Sequence, residues 1–169
     1  MTTTKTGATR SSAGKAAKVK PIPDGYHSIT PYLIVDGGAR AIEFYTRAFG
    51  AKERMRMPAP NDRIGHAELE IGDSVIMLAD EHPEMDARSA GHYGGSPVSI
   101  LLYVRDVDAQ FKQAIEAGAT EVRPVADQFY GDRSGMLRDP FGHSWHLATH
   151  TEDVSMEEMT RRMAAMGKT

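Results

Sequence analysis

Two stretches of this chain run through the same order of hydrophobic periodicities, the second displaced from the first by about 69 residues. Residues 29–36 form a β-rich apolar run that stops at Gly37-Gly38. Ile42, Tyr45 and Phe49 then recur at helical spacing, Phe44 broadens their stripe, and Gly50 follows as a helix stop. Residues 52–57 read as a strand. Residues 64–71 alternate with period two, and Gly72-Asp73 makes a tight turn into a strand over 75–80. The second stretch repeats this with strands at 98–104, 121–125, 135–138 and 145–149 and a helix at 108–117 carrying Phe111 and Ile115. Phe49-Gly50-Ala51-Lys52-Glu53 lines up with Ala117-Gly118-Ala119-Thr120-Glu121. One small βαβββ sheet cannot cover its own apolar face, so a duplicated unit is physically sensible: each half needs a partner. The class that follows is α+β.

The repeat sets the domain organisation. Residues 1–24 lack a periodic apolar face, carry only positive charges up to Lys20 (Lys5, Arg10, Lys15, Lys18, Lys20), and read as a disordered basic tail. Module 1 spans 25–81, a Gly/Pro-rich linker 82–97, module 2 98–150, and a terminal helical segment 151–169. Ser155 with Glu158 three residues on is a capping box, and Met156, Met159, Met163 and Met166 form one helical stripe.

Composition narrows the function classes. With no cysteine, the chain has no disulfide framework, thiolate zinc site, iron–sulfur cluster or cysteine nucleophile. A net charge of -3 gives no broad cationic face for nucleic acid, and no apolar run is long enough to cross a bilayer. The expectation is a soluble cytoplasmic protein without nucleic-acid or membrane partners. Phosphate loops, dinucleotide Gly-rich fingerprints, His-Glu-x-x-His and Gly-x-Ser-x-Gly are absent.

Residues 31–37, residues 42–51 (Ile-Glu-Phe-Tyr-Thr-Arg-Ala-Phe-Gly-Ala) and Asp139-Pro140-Phe141-Gly142-His143-Ser144-Trp145 resemble, in this order, the vicinal oxygen chelate superfamily of glyoxalase I, extradiol dioxygenases and bleomycin-resistance proteins. Together with Gln128-Phe129-Tyr130-Gly131-Asp132-Arg133 they are most similar to its PhnB-like, glyoxalase-like subgroup. The resemblance implies two βαβββ modules forming curled mixed sheets around a cleft, with clefts often built across two chains. It therefore implies a homodimer, to which the terminal methionine stripe offers an apolar contact. Metal-dependent members hold a divalent ion on the concave face with His or Glu from the first and last strand of each module. Carried over, those positions fall on Thr30, Met77, Ser99 and His146. Two hydroxyls and a thioether are poor ligands for a hard dication, so the expectation is no metal and no other cofactor.

Strand alternation predicts what lines the cavity instead. Tyr32 and Ile34 share a face with Thr30; His66, Glu68 and Glu70 lie opposite the packed Ala67 and Leu69; Leu101, Tyr103 and Ala148 share the face of Ser99 and His146. His66, Glu68 and His146 are the candidate catalytic groups. His66 and Glu68, two apart on one strand, read as a base with its orienting carboxylate, as a displaced metal pair with His146, or as a solvated ion pair. Tyr32, Tyr103, Gln128, Tyr130 and Arg133 are the candidate ligand contacts, with Arg133 an anion clamp or part of a turn network with Asp132. Trp145, of opposite parity to His146, belongs to the core. The function read from the sequence is a cleft that binds a small polar or anionic molecule without the usual metal. A metal-dependent lyase, isomerase or dioxygenase and a drug-sequestering dimer are the alternatives.

Overall fold

The computed structural model describes residues 19–166; most of the basic tail and the last three residues of the terminal segment lie outside them. Module 1 comprises β1 (Tyr32–Val35), α1 (Gly38–Phe49), β2 (Lys52–Ala59), β3 (Arg63–Ile71) and β4 (Ser74–Asp80). Module 2 comprises β5 (Ser99–Tyr103), α2 (Val107–Ala117), β6 (Thr120–Asp127), β7 (Asp132–Arg138) and β8 (Ser144–His150), followed by α3 (Met156–Met166). The linker carries two short 3-10 turns, Pro83–Met85 and Ala90–Tyr93. The sheets are ordered β1-β4-β3-β2 and β5-β8-β7-β6, each with one parallel pair and two antiparallel ones. The fold is the α+β pair of βαβββ modules that the repeat predicts.

Local chemistry explains the helices. α1 starts after Gly37 without a side-chain cap of its own. Asp80, at the end of β4, takes that role: its Oδ1 accepts from the Gly37 and Gly38 amides at 2.8 Å each and its Oδ2 from the Ile64 amide at 2.7 Å. A carboxylate there satisfies orphan donors and opposes the positive end of the helix dipole. α2 is capped conventionally by Asp106, which accepts from the Ala109 amide at 3.0 Å. Both helices end on a left-handed glycine, Gly50 and Gly118.

Each sheet turns one face to its helix, and the two helix-covered sides meet in one core. Leu33, Val35, Ala67, Leu69 and Leu78 contribute from module 1, and Leu137, Trp145 and Leu147 from module 2. α1 packs against α2, where Gln110 and Gln113 donate to the Ala48 and Arg47 carbonyls. Phe44, Tyr45 and Phe49 pack on Phe141 and Trp145, the Phe49 and Trp145 rings 4.6 Å apart. At the centre of the seam lies the buried carboxylate of Asp139, read from the sequence only as a turn residue. Its Oδ1 accepts from the Phe141 and His143 amides at 2.9 Å each. Its Oδ2 accepts from the Tyr45 hydroxyl at 2.7 Å and the Trp145 indole at 2.9 Å. Trp145 is thus core, as its parity predicts.

Burial pushes the Asp139 carboxyl up, but the facing His143 imidazole, the Tyr45 hydroxyl and the Trp145 indole outweigh it and hold the pKa low. Its ionised form therefore contributes stability above the ordinary Asp value of about 3.9, and that contribution is lost as pH falls through the lowered value. Asp139→Asn leaves a buried donor unpaired and should cost about 1–3 kcal/mol at pH 7, with a smaller penalty at pH 3, read from urea denaturation. An unchanged urea midpoint at pH 7 would remove Asp139 from this role.

Candidate functional site

The geometry of the seam decides where a site can lie. Because both helix-covered faces turn inward, the uncovered faces of the two sheets point away from each other. The residues expected around one cavity are therefore divided between two faces. Tyr32, Met77, Glu68 and Met55 form a row across the first sheet. Leu101, His146, Met136 and Arg123 form the corresponding row on the second. The expectation of one cavity holding Tyr32, His66, Tyr103 and His146 together is corrected to this extent for a single chain.

The first face carries a linked polar chain. The Tyr32 hydroxyl lies 2.9 Å from His66 Nδ1, and His66 Nε2 lies 3.5 Å from Glu68 Oε1. The other Glu68 oxygen accepts from the Tyr26 hydroxyl. Tyr26 arrives from the segment before β1, through a turn in which its amide bonds to the Pro23 carbonyl and Gly25 takes φ +80°. That is the left-handed position a type II turn requires, and glycine adopts it without a Cβ clash. Arg54 sits 4.7 Å from the centre of the Tyr26 ring. It reaches this face because the register of β2 against β3 shifts between Glu53 and Met55, leaving Arg54 as the extra residue of a bulge. Residues 21–23 and 26–28, with Thr30 and Met77, line an open 470 Å³ depression beside this chain.

Electrostatics keep the centre of this face anionic. Glu68 is only 8% exposed. The Tyr26 hydrogen bond, helped by His66 and Arg54, overcomes burial and holds its carboxyl below the usual carboxylate range. The same bond to Glu68 pushes the Tyr26 phenol up, and burial pushes Tyr32 up. An ionised acceptor is thus flanked by two neutral hydroxyls and an imidazole.

The second face has its own cluster. Asp132 accepts from the Tyr103 hydroxyl at 2.8 Å and meets His150 Nδ1 at 2.8 Å, while His150 Nε2 meets Asp153 at 3.0 Å. The Asp132 and Asp153 carboxylates raise the His150 pKa. His146 is half-buried and has no hydrogen bond among the described residues; burial and then the Arg123 charge push its pKa down. Arg123 and His146 are the basic groups of this face's central row.

The segment 128–133 makes its contacts within module 2. β7 begins at Asp132, earlier than the expected 135, so Asp132 and Arg133 project to opposite sides of the sheet. Arg133 turns to the helix side, where its Nε and NH2 each meet a different Asp108 oxygen at 2.7 Å and its NH1 meets Asp127 at 3.1 Å. Its fork is engaged within module 2, and its partners are Asp108 and Asp127 rather than Asp132. Gln128 donates to the Ala126 carbonyl, and the Tyr130 ring packs edge-on to Phe129 in the β6–β7 turn. The backbone approach permitted by Gly131 is made by the chain itself. The Thr151 and Glu152 amides bond to the Gly131 carbonyl, and a Cβ on Gly131 would run into the Glu152 carbonyl oxygen. Arg162 of α3 clamps Glu152 and Glu158. Arg133 is thus held within module 2, Gln128 by its own turn, and Tyr130 stays exposed near Tyr103 of the second face, all apart from the Tyr32–His66–Glu68 chain.

Tyr26, Arg54 and Asp132 were not identified as site residues from the sequence. Tyr26 precedes the first periodic run, and the bulge that reorients Arg54 breaks the alternation on which face assignment relies. Asp132 falls, by spacing, in the connection before the periodic run at 135–138.

The donor set at the family's metal positions does not fit a hard divalent ion. Thr30 lines a cavity with Met77 on the first face, and Ser99 and His146 belong to the second, so a single chain offers no common centre. Their chemistry is two hydroxyls, one thioether and one imidazole. Among the described residues no group of three or more His, Cys, Asp or Glu converges to hold a metal. No helix among them is long and apolar enough to cross a membrane.

Comparison with known proteins agrees with the fold. The model of the Glyoxalase/Bleomycin resistance protein/Dioxygenase superfamily matches residues 25–147. An uncharacterised protein of Mycobacterium bovis is 43% identical over 143 residues, covering 83% of this chain and 94% of its own length. The crystal structure of TioX from Micromonospora sp. ML1 superposes with a TM-score of 0.60 at 30% identity, over 72% of this chain and 97% of that one. The fosfomycin resistance protein FosX from Listeria monocytogenes, solved with Mn(II) and sulfate, gives 0.57 at 17% identity, over 81% and 97% of the two chains; at that identity the likeness is one of fold.

Tyr26→Phe should raise the Glu68 pKa, because the strongest contribution holding it down is that hydroxyl. Carboxyl NMR titration of Glu68 in both proteins measures this. An unchanged or lower value in the variant would show that Tyr26 does not tune this carboxylate.

Proposed function

The chain belongs to the Glyoxalase/Bleomycin resistance protein/Dioxygenase superfamily, and within it we propose a cytoplasmic, cleft-binding homodimer that takes a small polar or anionic molecule without a hard divalent ion at the family's metal positions. The observation that carries this reading is the hydrogen-bonded chain from Tyr32 through His66 and Glu68 to Tyr26 on an otherwise uncovered sheet face. An ionised carboxylate beside an imidazole and two phenols orients a polar ligand, accepting from its donors at Glu68 and offering hydroxyls to its acceptors. With such a ligand bound, His66 is placed to exchange a proton with it, and Glu68 to orient the ring.

The strand edges support a second copy as the other wall of the cleft. The outer edges β2 and β6 carry the protections of a solvent edge: Lys52, Glu53, Arg54, Arg56 and Pro58 on one, Glu121, Arg123, Pro124 and Asp127 on the other. The edges β1 and β5 read Tyr-Leu-Ile-Val and Ser-Ile-Leu-Leu-Tyr, with neither charge nor proline. A 640 Å³ groove bordered by Ile29, Pro31, Tyr93 and Val98 runs between them. Pairing of these edges with those of another copy sets the first face of one chain beside the second face of the next. Arg123 and His146 then meet the anionic end of a ligand held at Glu68 and His66. The exposed Met156 and Met163 of α3 offer further apolar contact.

A screen of small polar and anionic molecules by thermal shift on the full chain should yield a stabilising ligand. Glu68→Gln should weaken its binding by about tenfold or more, or ~1.4 kcal/mol. Light scattering at micromolar concentration should give twice the mass of the chain. Protein incubated with Mn(II), Fe(II) or Ni(II) and then dialysed should keep far less than one equivalent. A stoichiometric hard ion, a monodisperse monomer or indifference to Glu68→Gln would each contradict the proposal. Turnover of the ligand, abolished by His66→Ala, would assign His66 and Glu68 to catalysis rather than to binding alone.

A further inference from the structure

We propose that Met55, Met57 and His66 form a binding site for one soft monovalent ion, Cu(I) or its redox-inert counterpart Ag(I), distinct from the positions at which the family holds divalent metals. β2 and β3 are antiparallel neighbours in which Met57 stands directly opposite His66, and Met55 directly opposite Glu68. Directly opposed residues of such a pair keep their Cβ atoms about 4.5–5.5 Å apart on one face, and residues two apart on a strand lie ~7 Å from each other. Two long, flexible thioethers and an imidazole therefore stand on one patch of the uncovered face, within reach of a shared ion once the methionine side chains turn to it. Met55 and Met57 are 37% and 53% exposed, well above what methionines recruited for core filling would show.

The chemistry of the set selects the ion. Two thioethers and a neutral imidazole are soft or borderline donors with no formal charge, which suits a monovalent d10 ion and disfavours Mg(II), Ca(II) or Mn(II). The surroundings supply what such a site needs. His66 Nδ1 is held by the Tyr32 hydroxyl at 2.9 Å, which orients the ring and leaves Nε2 toward Glu68. A ligating histidine is usually fixed this way through its other nitrogen. The Nε2 contact to Glu68 is long at 3.5 Å, so little is lost when Nε2 turns its lone pair to a metal. Glu68, held ionised, places one negative charge beside the monocation, with Arg54 on the far side of the Tyr26 ring. Met77, across Glu68 on β4, is a further thioether on the same face.

This inference does not rest on the proposed cleft ligand, and its test separates the two. Ag(I) titrated calorimetrically into the full chain, and Cu(I) titrated without oxygen against bicinchoninate, should each show one equivalent bound. The ε-methyl resonances of Met55 and Met57 should shift in a methyl NMR spectrum. Met55→Leu/Met57→Leu, a volume-conserving exchange at exposed positions, should keep the fold and lose at least about tenfold in affinity. Met156→Leu/Met163→Leu on α3 should bind as the parent does. Absence of stoichiometric binding by the parent, undiminished binding by the β2 variant, or loss confined to the α3 variant would overturn the assignment. The small-molecule screen reads out on Glu68→Gln and the soft-ion titration on Met55→Leu/Met57→Leu, so each proposal can fail while the other stands.

Discussion

The buried carboxylate of Asp139 ties the Tyr45 hydroxyl of the first module to the Trp145 indole of the second, at the seam where two sets of helices and aromatic rings close on each other. Neither module can bury its helix-covered face alone, and the seam solves that problem for both at once. The cost of that solution is geometric. Once the covered faces meet, the uncovered faces diverge, and the candidate site residues are divided between them. The unprotected edges of β1 and β5 are the other product of the same packing, because these strands have no further strand partner among the described residues.

Much of this was legible in residue order. The repeat exposed the two modules, the glycines after each helix marked their ends, and period-two alternation placed His66 and Glu68 together on one face and Trp145 in the core. Such assignments rest on spacing along a single element, which is local physics. The divergence of the two faces was not legible, since alternation says which side of a strand a residue takes and nothing of how two sheets stand to each other. Arg133 shows the same limit at the scale of one residue: with β7 starting at Asp132 instead of residue 135, its partners are Asp108 and Asp127, which the spacing of residues 128–133 does not reveal. Tyr26 was out of reach for another reason. It lies in an irregular segment, and only the Gly25 turn and the distant Glu68 give it a place.

The two readings of the first face share a chemical logic. Replacing hard donors at the family's positions by Thr30 and Met77 withdraws the usual centre for a dication, yet the face keeps an ionised carboxylate, an oriented imidazole and several thioethers. Polar ligands are suited to the Tyr32–His66–Glu68–Tyr26 chain, and soft cations to the β2 side of the same histidine. Fold membership fixes none of this, because side-chain chemistry on the exposed face decides it.

The central claim is that the uncovered faces of one chain complete those of another. Since the chain contains no cysteine, a single Ala126→Cys substitution on the second face gives a unique attachment point for a spin label. Spin-labelled chains without isotope, co-refolded with unlabelled ¹⁵N chains, report only on distances between copies. The account predicts paramagnetic broadening of amide signals around Tyr32 and Met77 in the ¹⁵N copy; sharp signals there, with broadening elsewhere or nowhere, would contradict it.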